Sequence, residues 1–153
     1  MISSQVAAKP SRAVEVVELC SVTKAPSSFS GHRIAFEADV LADGVHGSVL
    51  ISPACQRGID PDFSKAEAAG KEYGKAIFTG RRGTIDKDIH ARFSGIFLLV
   101  PWDKPLCKEG RMMSTTKPCF ILQIESMTDL RITFKPGQDP TPPNRNMPPP
   151  IKW

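Results

Sequence analysis

Nothing in this chain approaches the ~18 consecutive apolar residues that a membrane-spanning helix requires, so no such span is expected. The opening residues, MISSQVAAKPSRAV, lack the apolar core of a secretory signal. That leaves either a cytoplasmic protein or an exported one in mature or trimmed form, and the cysteines discussed below tilt the choice toward the second. Catalytic signatures are missing too. There is no G-x-S-x-G and no H-E-x-x-H. Triads assemble from distant residues, so this removes a positive ground for an enzyme without excluding one. No C-x-x-C occurs, which speaks against a thioredoxin-type site and a zinc ribbon. No cofactor or metal is therefore implied. Aromatic residues make up only 7% of the chain, and no internal repeat is visible.

What is present fits one domain. The chain has 153 residues, long enough to bury a single core unaided. Its 14 prolines are about twice the usual share and crowd into the tail, KPGQDPTPPNRNMPPPIKW. Residues 1–13 read as disordered, 14–135 as one domain and 136–153 as a Pro-rich flexible tail. Net charge is +4, with the basic surplus in residues 81–120 and an acidic first hairpin. A surplus of this size is usually a solubility feature, although it also suits a weak anionic contact.

Along the chain, SRAVEVVELCSVTKAP reads as a helix capped by Ser11 and stopped by Pro26. HRIAFEADVLAD then alternates, with Ile34, Phe36, Ala38 and Val40 on one face and Arg33, Glu37, Asp39 and Leu41 on the other. ADGVHG supplies a turn, and SVLISP returns as a shorter strand. DPDFSKAEAAGKEYGKAIFTG offers a short helix with a Ser64–Glu67 capping box and Phe63, Ala66, Tyr73 and Ile77 at helical spacing. TIDKDIHARFSGIFLLVP alternates again through Ile89, Ala91, Phe93, Gly95, Phe97 and Leu99. From Ile96 the opposite phase also turns apolar, so the strand should end covered on both sides. FILQIESM is a further strand, and DLRITF a last short one or an edge. The expected class is mainly β (α+β): a small antiparallel barrel or curled sheet, with an N-terminal helix and one short inserted helix.

Together ELC, FSGHRI, the alternating strand, SVLISPAC and the later HARFSGIF resemble a recurrent group of small bacterial proteins with an OB-like β-barrel and no assigned function. The resemblance spans roughly residues 14–134. In that group a Gly precedes the first strand and a Cys follows the second, here Gly31 and Cys55, and Cys20 matches a cysteine before the barrel. The chain departs from the usual order, which has three strands before the helix, because only two are readable here. The resemblance implies no catalytic residues.

The four cysteines, Cys20, Cys55, Cys107 and Cys119, suit two disulfides, and the preferred connectivity is Cys20–Cys55 with Cys107–Cys119. The alternative is four reduced cysteines packed as small hydrophobes. Asp86, Asp88, His90 and Arg92 share a strand parity, and a solvated polar face is the plain reading of that set. Arg81 and Arg82 in TGRRGT read as exposed residues of a turn, with a phosphate contact as the other reading.

Three functional readings remain open. The first is a non-enzymatic, disulfide-stapled module binding a protein or a small polar ligand. The second is a single-stranded nucleic-acid binder, which needs exposed aromatics above a basic groove. Phe36, Phe93, Phe97 and Phe120 fall on the core side, leaving Tyr73, Trp102 and Trp153 as the aromatics most easily imagined outside. The third is an enzyme of unknown reaction, which would need Asp86, Asp88 or His90 in a cleft with further polar groups. Deleting residues 136–153 is expected to shift the melting temperature by no more than a degree or so, read by thermal denaturation; a large loss would show that the tail packs on the domain.

Overall fold

The valine-rich opening segment is extended rather than helical. In the computed structural model, which describes residues 13–108 and 116–138, Glu15–Val16 form β1 and pair in parallel with Ile34 and Ala35. A helix begins only at Leu19, as α1 (Leu19–Lys24), followed by the single turn α2 (Pro26–Phe29). This corrects the helix expected from Ser11. Val14, Val16 and Val17 are stiff at χ1, and the neighbouring strand edge rewards extension, with Val17 N–H donating to the Ala35 carbonyl at 2.9 Å. Pro26 opens α2 instead of stopping a helix, since the first helical position has no use for its missing N–H. Ser11, the rest of residues 1–12 and the tail beyond Gln138, on which the expected disorder and the Pro-rich tail fall, lie outside the described residues.

Period-2 alternation governs the centre. β2 (Arg33–Ala42) buries Ile34, Phe36, Ala38, Val40 and Ala42. β3 (Ser48–Ile51) returns antiparallel to it, Asp39 opposite Ile51 and Ala42 opposite Ser48. A third strand, unread in the sequence, follows: β4 (Asp60–Asp62), parallel to Ile121–Gln123. Asp-Pro-Asp looks like a turn, yet an edge position tolerates a proline that cannot donate to the ladder. The inserted helix is α3 (Glu67–Phe78), shorter than its capping-box reading. Ser64 lies before it, with its N–H donating to Asp62 Oδ1 at 2.9 Å, and the N-cap is Ala66 with no side-chain cap. Tyr73 points inward and is 6% exposed, its ring centroid 4.6 Å from that of Phe63 and edge-on to Phe93. It is not the exposed aromatic that the sequence suggested.

β5 (Lys87–Val100) is central and β6 (Cys119–Phe134) runs antiparallel to it for its whole length. The two strands read as FILQIESM and DLRITF are one, whose register against β5 shifts between His90 and Arg92 and between Ser94 and Gly95. Asp129 adopts a φ of 55° at the first shift, the local geometry of a β-bulge. At the second, a Cβ on Gly95 would sit 1.9 Å from the Gln123 carbonyl oxygen, so only glycine allows that approach. The doubly apolar end of β5 is covered as expected. Val100 packs with Cys107, Cys119 and Ile121 in a small second cluster, supported by the turn α4 (Pro105–Lys108).

The fold is thus mainly β, a mixed six-stranded sheet in the order β1-β2-β5-β6-β4 with β3 on β2. It is mixed because β1 and β4 pair in parallel, which an all-antiparallel expectation did not include. The ladders do not close the sheet, but Leu50 and Ile59 exchange two backbone hydrogen bonds of 2.8 and 2.9 Å between β3 and the start of β4. Among the described residues no helix is long and apolar enough to cross a membrane.

Asp86 is the other correction. It sits before β5, in the 79–86 turn, and strand parity does not reach it. Its side chain is 1% exposed and 3.1 Å from the fully buried Lys87 Nζ. Asp86 Oδ2 accepts the Arg81 N–H at 2.9 Å, and Lys87 Nζ donates to the Arg81 carbonyl at 2.6 Å. Burial opposes the Asp86 charge, but the Arg81 amide and Lys87 outweigh it and hold the carboxyl below its usual range. Its stabilising charge is therefore present above the ordinary carboxylate range and lost as pH falls through the depressed value. Asp86→Ala, which strands Lys87, is expected to cost about 3–5 kcal/mol in urea unfolding. The pair Asp86→Leu/Lys87→Met should recover most of that loss and blunt the acid limb of the stability profile.

Candidate ligand cleft

The β2–β5 register that turns Phe36 and Phe93 inward turns Glu37, Asp39, His90 and Arg92 outward, with Glu37 opposite Arg92 and Asp39 opposite His90. His90 lies between the two carboxylates of β2: Nδ1 is 2.8 Å from Asp39 Oδ1, and Nε2 is 3.8 Å from Glu37 Oε1. Arg92 is exposed, as is Asp88, which stands opposite Thr133 on the same outward face. The sequence-derived set is therefore split. His90 and Arg92 are neighbours among groups contributed by β2, Asp88 lies further along the strand, and Asp86 is buried elsewhere.

Arg81 and Arg82 are exposed in the turn before β5. Arg81 serves that turn through its backbone, as described above. The Arg82 guanidinium lies 6.0 Å from the Phe78 ring centroid, and its stem fills the space that a Cβ on Gly44 would need. Their side chains do not converge with the His90 group.

Beside Arg92 opens a cleft of about 580 Å³. One wall is the chain from Val16 to Cys20, the other is the exit of β3 at Ser52 and Ala54, and Phe36, Glu37 and Arg92 complete it. Such a volume is ordinary for a small-ligand site. The two walls are joined by the Cys20–Cys55 disulfide, Cα–Cα 5.6 Å. The β3-side wall is also tied to the start of β6, because Arg57 Nη2 donates to the Pro118 carbonyl at 2.7 Å and its guanidinium stacks 3.8 Å from the Phe120 centroid. The second disulfide, Cys107–Cys119, lies in the small cluster at the end of β5, with both cysteines buried.

A second depression of about 490 Å³ lies between the β2–β3 turn and Asp60. Its rim is rigid, since Asp43 Oδ1 accepts the amides of Val45 and His46 at 2.8 and 2.7 Å, and Oδ2 meets His46 Nδ1 at 2.6 Å. Those amides, then the His46 ring, hold the Asp43 carboxyl well below the usual range. Below the rim, the Tyr73 hydroxyl is bound to Ser48 Oγ at 2.5 Å, and burial pushes the phenol up to about 12. The side chains of Asp43, His46, Ser48 and Tyr73 are thus already partnered within the turn or with the helix, which suits a structural part better than a receptive one.

Sequence reasoning missed Glu18, Ser52 and Ala54, and saw Glu37 and Asp39 only as the polar face of a strand. Parity marked the latter two; nothing local marked the others, whose proximity comes from β1 and a disulfide. Among the described residues no three His, Cys, Asp or Glu are placed to hold a metal ion. No family model, curated protein or solved structure matches the chain.

The loop-closure model attaches about 4 kcal/mol to the Cys20–Cys55 bridge and about 3 kcal/mol to Cys107–Cys119, given sequence separations of 35 and 12. The Cys20→Ser/Cys55→Ser variant is expected to lose the larger amount in denaturant unfolding and to show faster amide exchange at residues 52–58. The Cys107→Ser/Cys119→Ser variant should leave exchange in that loop unchanged.

Proposed function

We propose that this chain is a non-enzymatic, disulfide-stapled binding module on an OB-like barrel, acting in an oxidising compartment, with the cleft beside Arg92 as its ligand site. The order of neighbours supports the barrel reading. β2 touches β3, β3 meets the start of β4 through Leu50 and Ile59, β4 pairs β6, β6 pairs β5, and β5 pairs β2. α3 enters between β4 and β5, where an OB-like barrel carries its helix, and β4 supplies the third strand that the sequence lacked. The likeness to the small bacterial group rests on Gly31, with a φ of 83° just before β2, and on Cys20 and Cys55. Two disulfides favour an extracytoplasmic setting, because cytosolic thiols are kept reduced.

The observation that carries the binding reading is the cleft whose two walls a disulfide joins, since a covalent tie between walls pre-organises a site and lowers the ordering cost of binding. Nucleic acid is disfavoured by where the aromatics lie. Phe36, Phe93, Phe97, Phe120 and Tyr73 are all buried, and Trp102 is the one large aromatic side chain strongly exposed among the described residues, which makes no stacking platform. The catalytic reading loses its premise because Asp86 is buried in a turn, and neither Asp88 nor His90 lines the cleft.

A fragment library screened by ligand-observed NMR against the native chain and against Ala54→Trp, which fills the cleft from an exposed position, tests this reading. Polar fragments should bind the native protein and lose at least tenfold in affinity to the variant at unchanged melting temperature. Equal binding to both, or salt-sensitive oligonucleotide binding in place of fragments, would overturn it.

A further inference from the structure

Charge pairing around the cleft is unequal. His90 Nδ1 is 2.8 Å from Asp39 Oδ1, and Nε2 is 3.8 Å from Glu37 Oε1. Arg92 stands across the ladder from Glu37 yet makes no ion pair or side-chain hydrogen bond among the described residues. Glu18, at the head of α1, gives no side-chain cap to that helix and likewise has no ionic partner among them. Both line the same cleft, whose apolar lining includes Val16, Val17 and Ala54.

A concave site with one unpaired guanidinium and one unpaired carboxylate selects its ligand by charge. A purely anionic ligand would satisfy Arg92 and leave Glu18 partly desolvated without a partner; a purely cationic one would do the reverse. Leaving a charged group unpaired on desolvation costs more than a pairing gains. Only a ligand with both charges satisfies both groups, and the planar guanidinium fork matches a carboxylate in bidentate geometry. Resting on the cleft being the ligand site, we infer that its ligand is a zwitterion of the peptide type: a free amino acid or short peptide. Its carboxylate meets Arg92, its ammonium meets Glu18, and an apolar side chain lies against Val16, Val17 and Ala54.

Four probes separate the charges at constant shape: valyl-valine, its N-acetyl form, its C-terminal amide and the doubly blocked form. In 15N-resolved titrations of the full chain, free valyl-valine is expected to shift the resonances of Glu18, Glu37 and Ala54, and each single block to weaken binding at least tenfold. Arg92→Gln should abolish the preference for a free C-terminus while keeping that for a free N-terminus, and Glu18→Gln should do the opposite. Both side chains are exposed, so the melting temperature should not move. Equal binding of all four probes, no cleft shift at millimolar probe, or variants that keep both preferences would each overturn the zwitterion. The fragment comparison with Ala54→Trp reports on the cleft itself, so a wrong ligand class and a wrong site give different results.

Discussion

The register of β2 against β5 is the constraint on which the rest depends. Phe36 faces Phe93 across it on the inner side, and Glu37 faces Arg92 on the outer side. Because side chains alternate with period two, a slip by one residue would expel the phenylalanines and bury the charges. The ladder is set at one end by Gly31, whose N–H donates to the Phe97 carbonyl at 2.7 Å, and at the other by the Asp39–His90 pair. Core and candidate site are thus two faces of one alignment.

Three devices hold the remaining segments to that pair of strands. The buried Asp86–Lys87 pair shapes the turn before β5, and its hydrogen bonds to Arg81 satisfy charges that would otherwise oppose folding. The Cys107–Cys119 bridge holds α4, through Cys107, against Val100 and Ile121 at the end of β5. The Cys20–Cys55 bridge fastens α1 to the exit of β3. α1 is six residues long and has no side-chain cap, so its position comes from Leu19 and Val22 in the core and from that bond. The cleft is the space these ties leave open along the outer edge of β2, between β1 and the end of β3.

Surface ion pairs contribute less to this scheme. Arg33 and Glu125 form a two-pronged contact at 2.6 and 3.1 Å on the exposed face, and water screens its contribution to stability. Their effect is on alignment, since they join β2 to β6 across β5. His90 likewise ties β5 to β2 across one ladder, with Nδ1 2.8 Å from Asp39 Oδ1.

Strand content, the inward sets of β2 and β5, the cysteine pairing and the existence of α3 were legible in the sequence, because each follows from local alternation, spacing or count. What escaped were features whose cause is non-local. β1 is extended because β2 offers it an edge, and Asp60–Asp62 is a strand because Ile121–Gln123 lie beside it. β6 is one strand because it pairs β5 along its whole length, through two register shifts. Parity foresaw an outward His90 and Arg92, but Asp86 left that face where the chain turned to bury its charge with Lys87. By itself the sequence determined which residues could alternate, turn and cross-link. Only the tertiary structure decided which of them meet, since Glu18, Ala54 and Arg92 share a cleft through strand pairing and a disulfide that join distant parts of the chain.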